Sequence, residues 1–421
     1  MTATEFMPSQ ISFKRPIIML VMLGLMVVYA AIMFVIFYLM EEKNIQNAPP
    51  TIVTSAAMLG SIFFLALMGI ARLSRVSVWN VSAQVFPLWL TLTSIGLVLV
   101  LLARAEYSNI FIAINWPVGL ALLFVLRKVI SRSANLTFGV TPKVNRAMIK
   151  NAKLIDIDPT AKPLGQINAV IATASEIADK KFATILTELA INKVPIVPEE
   201  LFREQITGRV NHRKVDAPDL MQLKPYRRYM VIKRISDVVM ASVGFVLTLP
   251  LMLVVAVLIK LESKGSPFFI QRRTGEGGRE FNMYKFRSMV QDADVDGAKF
   301  ATSGDARVTR IGRVIRKLRI DELPQLVNVL FGSMSMIGPR PEQKALVDEL
   351  SADIPLYPFR HAIRPGITGW AQVMQGYADD VSSTDVKLSY DLYYIKNLSL
   401  MMDFVIFFKT IKTIITGFGS R

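Results

Sequence analysis

Two carboxylates stand side by side at Asp321 and Glu322, within RKLRIDELPQLVNVLFGSMSMIGPRP, the stretch from Arg316 to Pro341. Arg316 and Arg319 precede them, an apolar run follows, and Pro339, Arg340 and Pro341 form a corner at the far end. Paired acids among cations suit phosphate chemistry. One carboxylate can hold Mg²⁺ or attack phosphorus while its neighbour orients or handles protons, and arginines supply fixed forks for phosphate oxygens. Taken alone, an Asp-Glu pair also describes an ordinary helix start, because acids in a first turn are stabilised by the macrodipole. Lys285 and Arg287 lie two residues apart in KFRSM. In a strand that spacing puts both on one face, where they can converge on a diphosphate; a solvated basic edge is the competing reading. Gly275, Gly277 and Gly278 permit a tight turn just upstream, which would suit any hairpin. His212 and His361 are the only histidines. Neither has a metal partner or a Ser or Cys neighbour at motif distance, which argues against a histidine-driven hydrolase.

Arg316, Asp321, Glu322, Leu323, Pro324, Gln325, Asn328, Gly338, Pro339, Arg340 and Pro341, in that order and spacing, resemble the signature of the bacterial sugar transferases. These are the monotopic phosphoglycosyl transferases that begin glycan assembly on a polyprenyl phosphate. The resemblance runs from about Lys233 to the C-terminus and includes KFRSM (Lys285 to Met289) and RPGITGWAQV (Arg364 to Val373). It implies that Asp321 attacks the β-phosphorus of a UDP-sugar, expels the nucleoside monophosphate and carries the phosphosugar until undecaprenyl phosphate displaces it. Mg²⁺ would bridge Asp321 and the diphosphate, Glu322 would orient or handle protons, and Lys285, Arg287, Arg316 and Arg340 would hold substrate phosphates. Three positions depart from the family pattern: Arg319 replaces a small polar residue, Ser333 a common aspartate, and Met374-Gln375-Gly376 stands where Asn-Gly often follows. The RPGITGWAQV stretch reads as a turn-rich loop that could cover the site. For the tyrosines of DLYYIKN, packing and binding roles both stay open.

These residues need a scaffold that meets lipid. At 421 residues the chain has room for two or three domains, 52% of it is hydrophobic, and the formal charge is +16. A mean hydropathy of +0.40 is too apolar for an ordinary soluble protein. Basicity together with apolar spans points to anionic headgroups and phosphorylated substrates rather than nucleic acid. There is no cysteine, so no disulfide framework and no zinc finger. The first apolar run is too long for a cleavable signal peptide and lacks a small-residue cleavage site.

Four apolar segments, about Pro16 to Met40, Ile52 to Ala71, Val85 to Ala103 and Ile110 to Leu126, predict four membrane crossings within 1–132. Lys14, Arg15, Arg72, Arg75, Arg127, Lys128 and Arg132 lie on one side of this bundle, and the opposite loops carry Glu41, Glu42 and Lys43, or Arg104 and Glu106. Both ends of the bundle are therefore expected in the cytoplasm. Residues 133–207 read as a shortened Rossmann-like α/β domain, with strands at Ala169 to Thr173 and Val194 to Val197, a helix from Glu176 to Asn192 and a further helix after it. No G-x-G-x-x-G follows a strand there, so a structural or regulatory role is expected. Residues 208–232 read as a linker and 233–421 as the transferase domain. Its opening run, Lys233 to Lys264, is apolar with Pro250 at its centre and cations at both ends. Equal flanks predict a re-entrant helix, about 236–262, broken at Pro250 and returning to the cytoplasmic side, with an ordinary kinked crossing as the alternative. The family usually has Ser-Pro at the break; here it is Leu249-Pro250, with Thr248 one residue earlier. Leu398 to Phe418, amphipathic with Lys409 and Lys412 on one side, is expected to lie on the membrane surface.

The fold class expected is thus a membrane protein of α and α/β parts in the bacterial inner membrane, multi-pass, with a cytoplasmic catalytic domain. A non-catalytic nucleotide-sugar-binding scaffold of a glycan assembly complex is the rival, and loss of Asp321, Glu322 or Arg340 would have favoured it. A many-helix polytopic transferase is disfavoured by the amount of soluble-type sequence. The sugar, the glycan, the role of the Rossmann-like segment and the choice between monomer and homo-oligomer are left open.

Overall fold

The computed structural model describes residues 15–41, 49–73, 82–133, 137–149, 152–159, 167–212, 227–290, 307–354, 356–375 and 381–416. The chain divides into two compact units, Met1–Thr207 and Gly208–Arg421.

The first unit begins with helices α1 (Arg15–Glu41), α2 (Pro49–Leu73), α3 (Ser82–Leu102) and α4 (Asn109–Ser133). They carry apolar residues all round, as a helix in hydrocarbon must. Met19–Ile36, Thr51–Ile70 and Asn109–Leu126 are long and apolar enough to cross a membrane, and Leu88–Leu102 is a shorter apolar stretch. Tyr29, Phe63, Trp89 and Phe111 fill the bundle interior. Trp89 Nε1 donates to Trp116 O at 3.0 Å, and Ser108 N–H donates to Ser55 Oγ at 2.8 Å, tying α3 and α2 to α4 and the turn before it. Lys14, Glu42, Lys43 and Arg75, which carry much of the topology expectation, lie outside the described residues.

The same unit holds a parallel sheet of order β2-β1-β3-β4, built from β1 (Thr137–Val140), β2 (Lys153–Asp156), β3 (Ala169–Ala172) and β4 (Ile196–Pro198). Two of these strands were expected. The helix expected from Glu176 to Asn192 is two, α5 (Ala174–Ile177) and α6 (Lys180–Ile191), because Asp179 caps the second by accepting from Lys181 N–H. The further helix is α7 (Glu199–Thr207). At the carboxyl ends of β1 and β3, Glu176 fills the crevice with its own carboxylate, accepting from Thr141 Oγ1 and Thr173 Oγ1 at 2.6 Å each and from Lys143 N–H at 2.9 Å. That crevice is where a doubly wound sheet holds a ligand's phosphates.

The second unit is organised on a helix of 36 residues, Arg227–Glu262. It runs through Pro250, whose missing N–H removes one helical bond, and just before it Thr248 Oγ1 turns back to donate to Gly244 O at 2.7 Å. The threonine thus supplies a side-chain bond to the main chain one residue before Leu249, which occupies the position of the usual serine. Both ends of this helix are fastened to the same globular unit. Near its start Lys233 Nζ donates to Asp403 Oδ2 at 2.8 Å, and Arg234 donates to the carbonyls of Val329 and Leu330 at 2.6 and 2.8 Å. At its end the Glu262 carboxylate accepts from Arg310 N–H at 2.8 Å. Its first half packs Ala241 on Met283, Leu326, Val329 and Met334, and its second half packs Met252, Val255 and Ile259 on Phe286 and Ile315.

Around it lie the antiparallel hairpin β5 (Phe268–Thr274) and β6 (Glu280–Phe286), a helix Arg310–Lys317, a helix Gln325–Phe331, and β7 (Ser335–Ile337) paired in parallel with β8 (Gly366–Thr368). Two expectations are corrected here. Residues 208–212 are not linker: Trp370 Nε1 donates to Gly208 O at 2.9 Å, Val210 is buried in the core, and His212 Nε2 meets Asp385 Oδ1 at 2.7 Å. The rest of the linker expectation falls largely on 213–226, outside the described residues. Nor is Arg364 to Val373 a cover, since it supplies β8 and then a helix whose Trp370 is 2% exposed. The last helix, Leu400–Thr416, buries Val405 and Ile406 and sets Lys409 over the Trp370 ring at 5.5 Å.

Candidate active site

Asp321 and Glu322 do not begin a helix. The helix Arg310–Lys317 ends, Arg319 takes a left-handed conformation (φ 55°), and the acids occupy a single 3₁₀ turn, Ile320–Glu322, before Pro324 and the next helix. A positive φ at a non-glycine residue is uncommon and clusters at functional sites. Its effect here is to swing the chain so that the two carboxylates have different surroundings.

Glu322 is buried and bonded. Arg340 Nη2 donates to its Oε1 at 2.9 Å, and Arg319 Nη1 lies 3.6 Å from its Oε2. Burial works against its charge, but Arg340, Lys285 and Arg319 outweigh it and hold this carboxyl well below the usual range. Asp321 is half-buried, and burial followed by the Glu322 charge pushes its carboxyl upward against the pull of Lys285, Arg340 and Arg316. Among the described residues, no side chain donates a hydrogen bond to the Asp321 carboxylate, although three cations act on it. Lys285, on β6, is likewise unbonded among them. Burial and the Arg340 charge lower its ammonium to about 8, with Glu322 and Asp321 pulling the other way. One acid is therefore kept ionised as a fixed acceptor for Arg340. Its neighbour is an anion without a donor beside an unbonded ammonium.

Three elements bring these groups together. Asn328, on the helix after the acids, accepts from Tyr284 N–H at 3.0 Å and donates to Asn282 O at 2.7 Å, which locks that helix to β6 and sets Lys285 beside the pair. Gly338 and Gly366 let β7 and β8 meet at the corner: a Cβ on Gly338 would lie 2.4 Å from Arg364 O, and one on Gly366 would lie 2.0 Å from Gly338 N. Arg316 arrives in the last turn of Arg310–Lys317.

Of the expected site residues, the structure groups Asp321, Glu322, Lys285, Arg316 and Arg340, and it adds Arg319. Arg287 is corrected. Its side chain is buried at the end of the long helix, donating to Lys264 O at 2.7 Å, Ser263 O at 2.9 Å and Ser263 Oγ at 2.8 Å. β6 stops at Phe286, so the two-residue alternation that would have placed Arg287 beside Lys285 ends one residue too soon. Residues not anticipated from sequence are Arg273, Glu342, Arg360 and Lys387, an ion cluster behind the corner. The DLYYIKN segment proves to be packing: Asp391 pairs with Arg360 at 2.9 Å, and Tyr394 donates to Asp403 Oδ1 at 2.6 Å.

No group of three or more metal-ligating side chains occurs among the described residues. The donor set still fits Mg²⁺ of the kind bound by one carboxylate plus substrate phosphates, because the Asp321 oxygens have no donor of their own while those of Glu322 face Arg340 and Arg319.

Residues 228–417 match the family described as bacterial sugar transferase. The chain is 52% identical over 236 residues to the UDP-N-acetylgalactosamine-undecaprenyl-phosphate N-acetylgalactosaminephosphotransferase of Aeromonas hydrophila, covering 56% of each. It is 44% identical to the UDP-glucose:undecaprenyl-phosphate glucose-1-phosphate transferase of Caulobacter vibrioides, over 44% of this chain and 70% of that one. It is 40% identical to the exopolysaccharide production protein PSS of Rhizobium leguminosarum, over 44% of this chain and 96% of that one. Against the larger relatives, such as those of Aeromonas hydrophila and Klebsiella pneumoniae, the match spans only 56% and 43% of their length.

Proposed function

The chain belongs to the bacterial sugar transferase family, and from that premise we propose that it moves a sugar phosphate from a UDP-sugar to undecaprenyl phosphate, with the phosphosugar carried in between on Asp321. The observation that carries this reading is the division of labour between the two acids: Glu322 is bonded to Arg340, while Asp321 is ionisable, without a donor, and faced by cations. A carboxylate with no hydrogen bonds to lose is the better nucleophile. An Asp321 oxygen attacks the β-phosphorus, the bond from that phosphorus to the bridging oxygen breaks, and UMP leaves with the electron pair. A phosphate oxygen of undecaprenyl phosphate then attacks the same phosphorus, and the Asp321 carboxylate is the leaving group. The products are UMP and a polyprenyl diphosphate sugar.

Lys285, Arg316 and Arg340 hold the diphosphate oxygens, and Arg340 is aimed by Glu322. A glutamate held ionised by three cations suits orientation rather than proton transfer. Mg²⁺, where bound, would be held by Asp321 and the diphosphate and would neutralise charge that otherwise repels an anionic nucleophile.

The re-entrant reading of the long helix draws support from its fastenings. A straight crossing would put its two ends about 50 Å apart on opposite sides of a bilayer, whereas both ends bond to residues of one polar unit. On this reading the site lies on the cytoplasmic face of the inner membrane, where UDP-sugars are made. The role is the first committed step of a surface glycan such as an exopolysaccharide. The relatives use N-acetylgalactosamine or glucose, so a UDP-hexose or its N-acetyl derivative is the substrate class.

The test is mass spectrometry of the full chain incubated with a panel of UDP-sugars and Mg²⁺ but no lipid acceptor. A sugar-phosphate adduct on the peptide holding Asp321, discharged by undecaprenyl phosphate, is expected. Turnover without any adduct, with kinetics of a ternary complex, would replace it with direct attack by the lipid phosphate.

A further inference from the structure

Arg340 stands between two prolines, whose rings fix φ at 339 and 341, and a residue before proline is itself confined to extended conformations. What the prolines leave free is the orientation of the peptide planes. In this chain the carbonyls are each taken from outside the corner. Gly366 N–H donates to Pro339 O at 2.9 Å, Arg273 Nη1 to Pro341 O at 3.4 Å, and Thr274 N–H to Glu342 O at 2.8 Å. The carbonyl of Arg340 itself accepts from Arg360 Nη2 at 2.9 Å.

Arg360 is 2% exposed, and both terminal nitrogens of its guanidinium are held: Nη1 donates to Tyr357 Oη at 2.5 Å, Nη2 also donates to Asp391 Oδ2 at 2.9 Å, and Glu342 Oε1 lies 4.0 Å away. A buried ion pair is weak evidence for stability, since an apolar residue of similar volume commonly serves as well or better. A planar fork that meets a carboxylate and a main-chain carbonyl with one nitrogen does something an apolar residue cannot: it sets the plane of the Arg340–Pro341 peptide and so the direction in which the Arg340 side chain leaves the backbone. Resting on the phosphate-clamp reading of Arg340, we propose that Arg360 is a positioning residue for the transfer, acting only through Arg340 and holding its guanidinium on Glu322 and the substrate diphosphate.

A double-mutant cycle on the full-length protein tests this, with UMP release from a UDP-sugar as the readout. Arg360→Lys keeps the charge beside Asp391 but loses the fork, and a ten- to thirtyfold fall in kcat is expected. In an Arg340→Gln background the same substitution should cost less than twofold, because the group it positions is gone. Asp391→Asn serves as the structural control: it lowers Tm but leaves the bond to Arg340 O, so turnover per folded protein should stay within threefold of wild type. Should the lysine variant not accumulate, Tyr357→Phe takes its place, removing the hydroxyl that steadies Nη1, with a loss of threefold or more that vanishes in the Arg340→Gln background. Equal losses in both backgrounds, or full activity in a folded Arg360→Lys protein, would overturn the proposal. Because the cycle compares rates of UMP release, it holds whether or not the phosphosugar is carried on Asp321; failure of that reading shows instead as a wild-type protein that turns over without an adduct.

Discussion

Replacing Lys285 by arginine should flatten the basic side of the pH–rate profile. Burial and Arg340 lower the Lys285 ammonium from its ordinary 10.5 to about 8, while Glu322 and Asp321 resist. That change corresponds to roughly 3 kcal/mol held against the charged form. Burial is the largest of these effects and the two acids do not offset it, so the free site is poised to lose a proton just above neutrality. At pH 9 only about a tenth of the free enzyme would then keep the charge that attracts a diphosphate. Since kcat/KM reports the free enzyme, it should fall about tenfold per pH unit above 8. Bound substrate brings negative charge to the ammonium and favours its protonated form, so the same limb in kcat should lie at higher pH. Arginine stays charged throughout this range. The Lys285→Arg protein should therefore hold kcat/KM level between pH 8 and about 9.5, at a lower plateau because a planar fork reaches differently from a point charge. The assay is UMP release from detergent-solubilised full-length protein with saturating undecaprenyl phosphate. If Lys285→Arg keeps the wild-type limb near pH 8, the titrating group is elsewhere and Lys285 does not govern phosphate binding.

Arg340→Lys should cost ten- to hundredfold in kcat/KM, since the 2.9 Å bond to Glu322 and a planar contact to phosphate are lost together, worth about 1.5–3 kcal/mol; initial rates near wild type would remove Arg340 from the site. Glu342 has its carboxyl held at about 2: burial opposes this, and Lys387, Arg360 and Arg273 outweigh it. A lowered value contributes stability that is full above about 4.5 and is lost as pH falls toward 2, so Glu342→Gln should lose up to about 3 kcal/mol at pH 7, a gap that closes in acid and can be followed as Tm against pH. Asn328→Ala leaves Tyr284 N–H and Asn282 O without their partner and should destabilise by about 2–3 kcal/mol in chemical denaturation. Single cysteines at Tyr229 and Ser266 should both resist an impermeant thiol reagent in intact cells; labelling at the second alone would mean that the helix crosses.

The acid pair was legible because its chemistry is local: two carboxylates, an arginine five residues before and a Pro-Arg-Pro corner are all visible within one stretch. Lys285 was legible for its charge, and Arg287 was misread for a specific reason. Alternation predicts a shared face only while a strand lasts, and β6 ends at Phe286. The cluster of Arg273, Glu342, Arg360 and Lys387 left no trace because ion pairs between residues 18 to 69 positions apart have no periodicity or motif in one sequence. Strands β1 (TFGV) and β2 (KLID) were missed because neither shows the unbroken apolar run that marks β3 (AVIA). Such short runs become strands only when parallel neighbours supply their hydrogen bonds. Residues 208–212 looked like linker because they are polar and basic, yet one apolar side chain, Val210, and one main-chain carbonyl, at Gly208, were enough to seat them in the transferase core.

The misread arginine also shows how the membrane segment reaches the chemistry. Arg287 follows Lys285 by two residues and grips the carbonyls of Ser263 and Lys264, just past the end of the long helix. One residue earlier on that helix, Glu262 accepts from Arg310 N–H at 2.8 Å and from Ile311 N–H at 3.2 Å, the first donors of the helix whose last turn carries Arg316. A carboxylate at a helix N-terminus both satisfies open donors and favours the dipole. The end of the long helix thus holds the strand bearing Lys285 and the helix bearing Arg316, two of the cations proposed to bind phosphate. Moving that end by even an ångström would shift Lys285 and Arg316 relative to Asp321, and a misplacement of that size is enough to cost a large factor in rate. Pro250 stands about midway between this end and the start held by Lys233 and Arg234, so in the proposed re-entrant arrangement the depth at which the helix sits in lipid would set the spacing of its two ends. In the proposed reaction the bilayer would thus act twice, as the source of the acceptor and as the support that fixes where Lys285 and Arg316 stand.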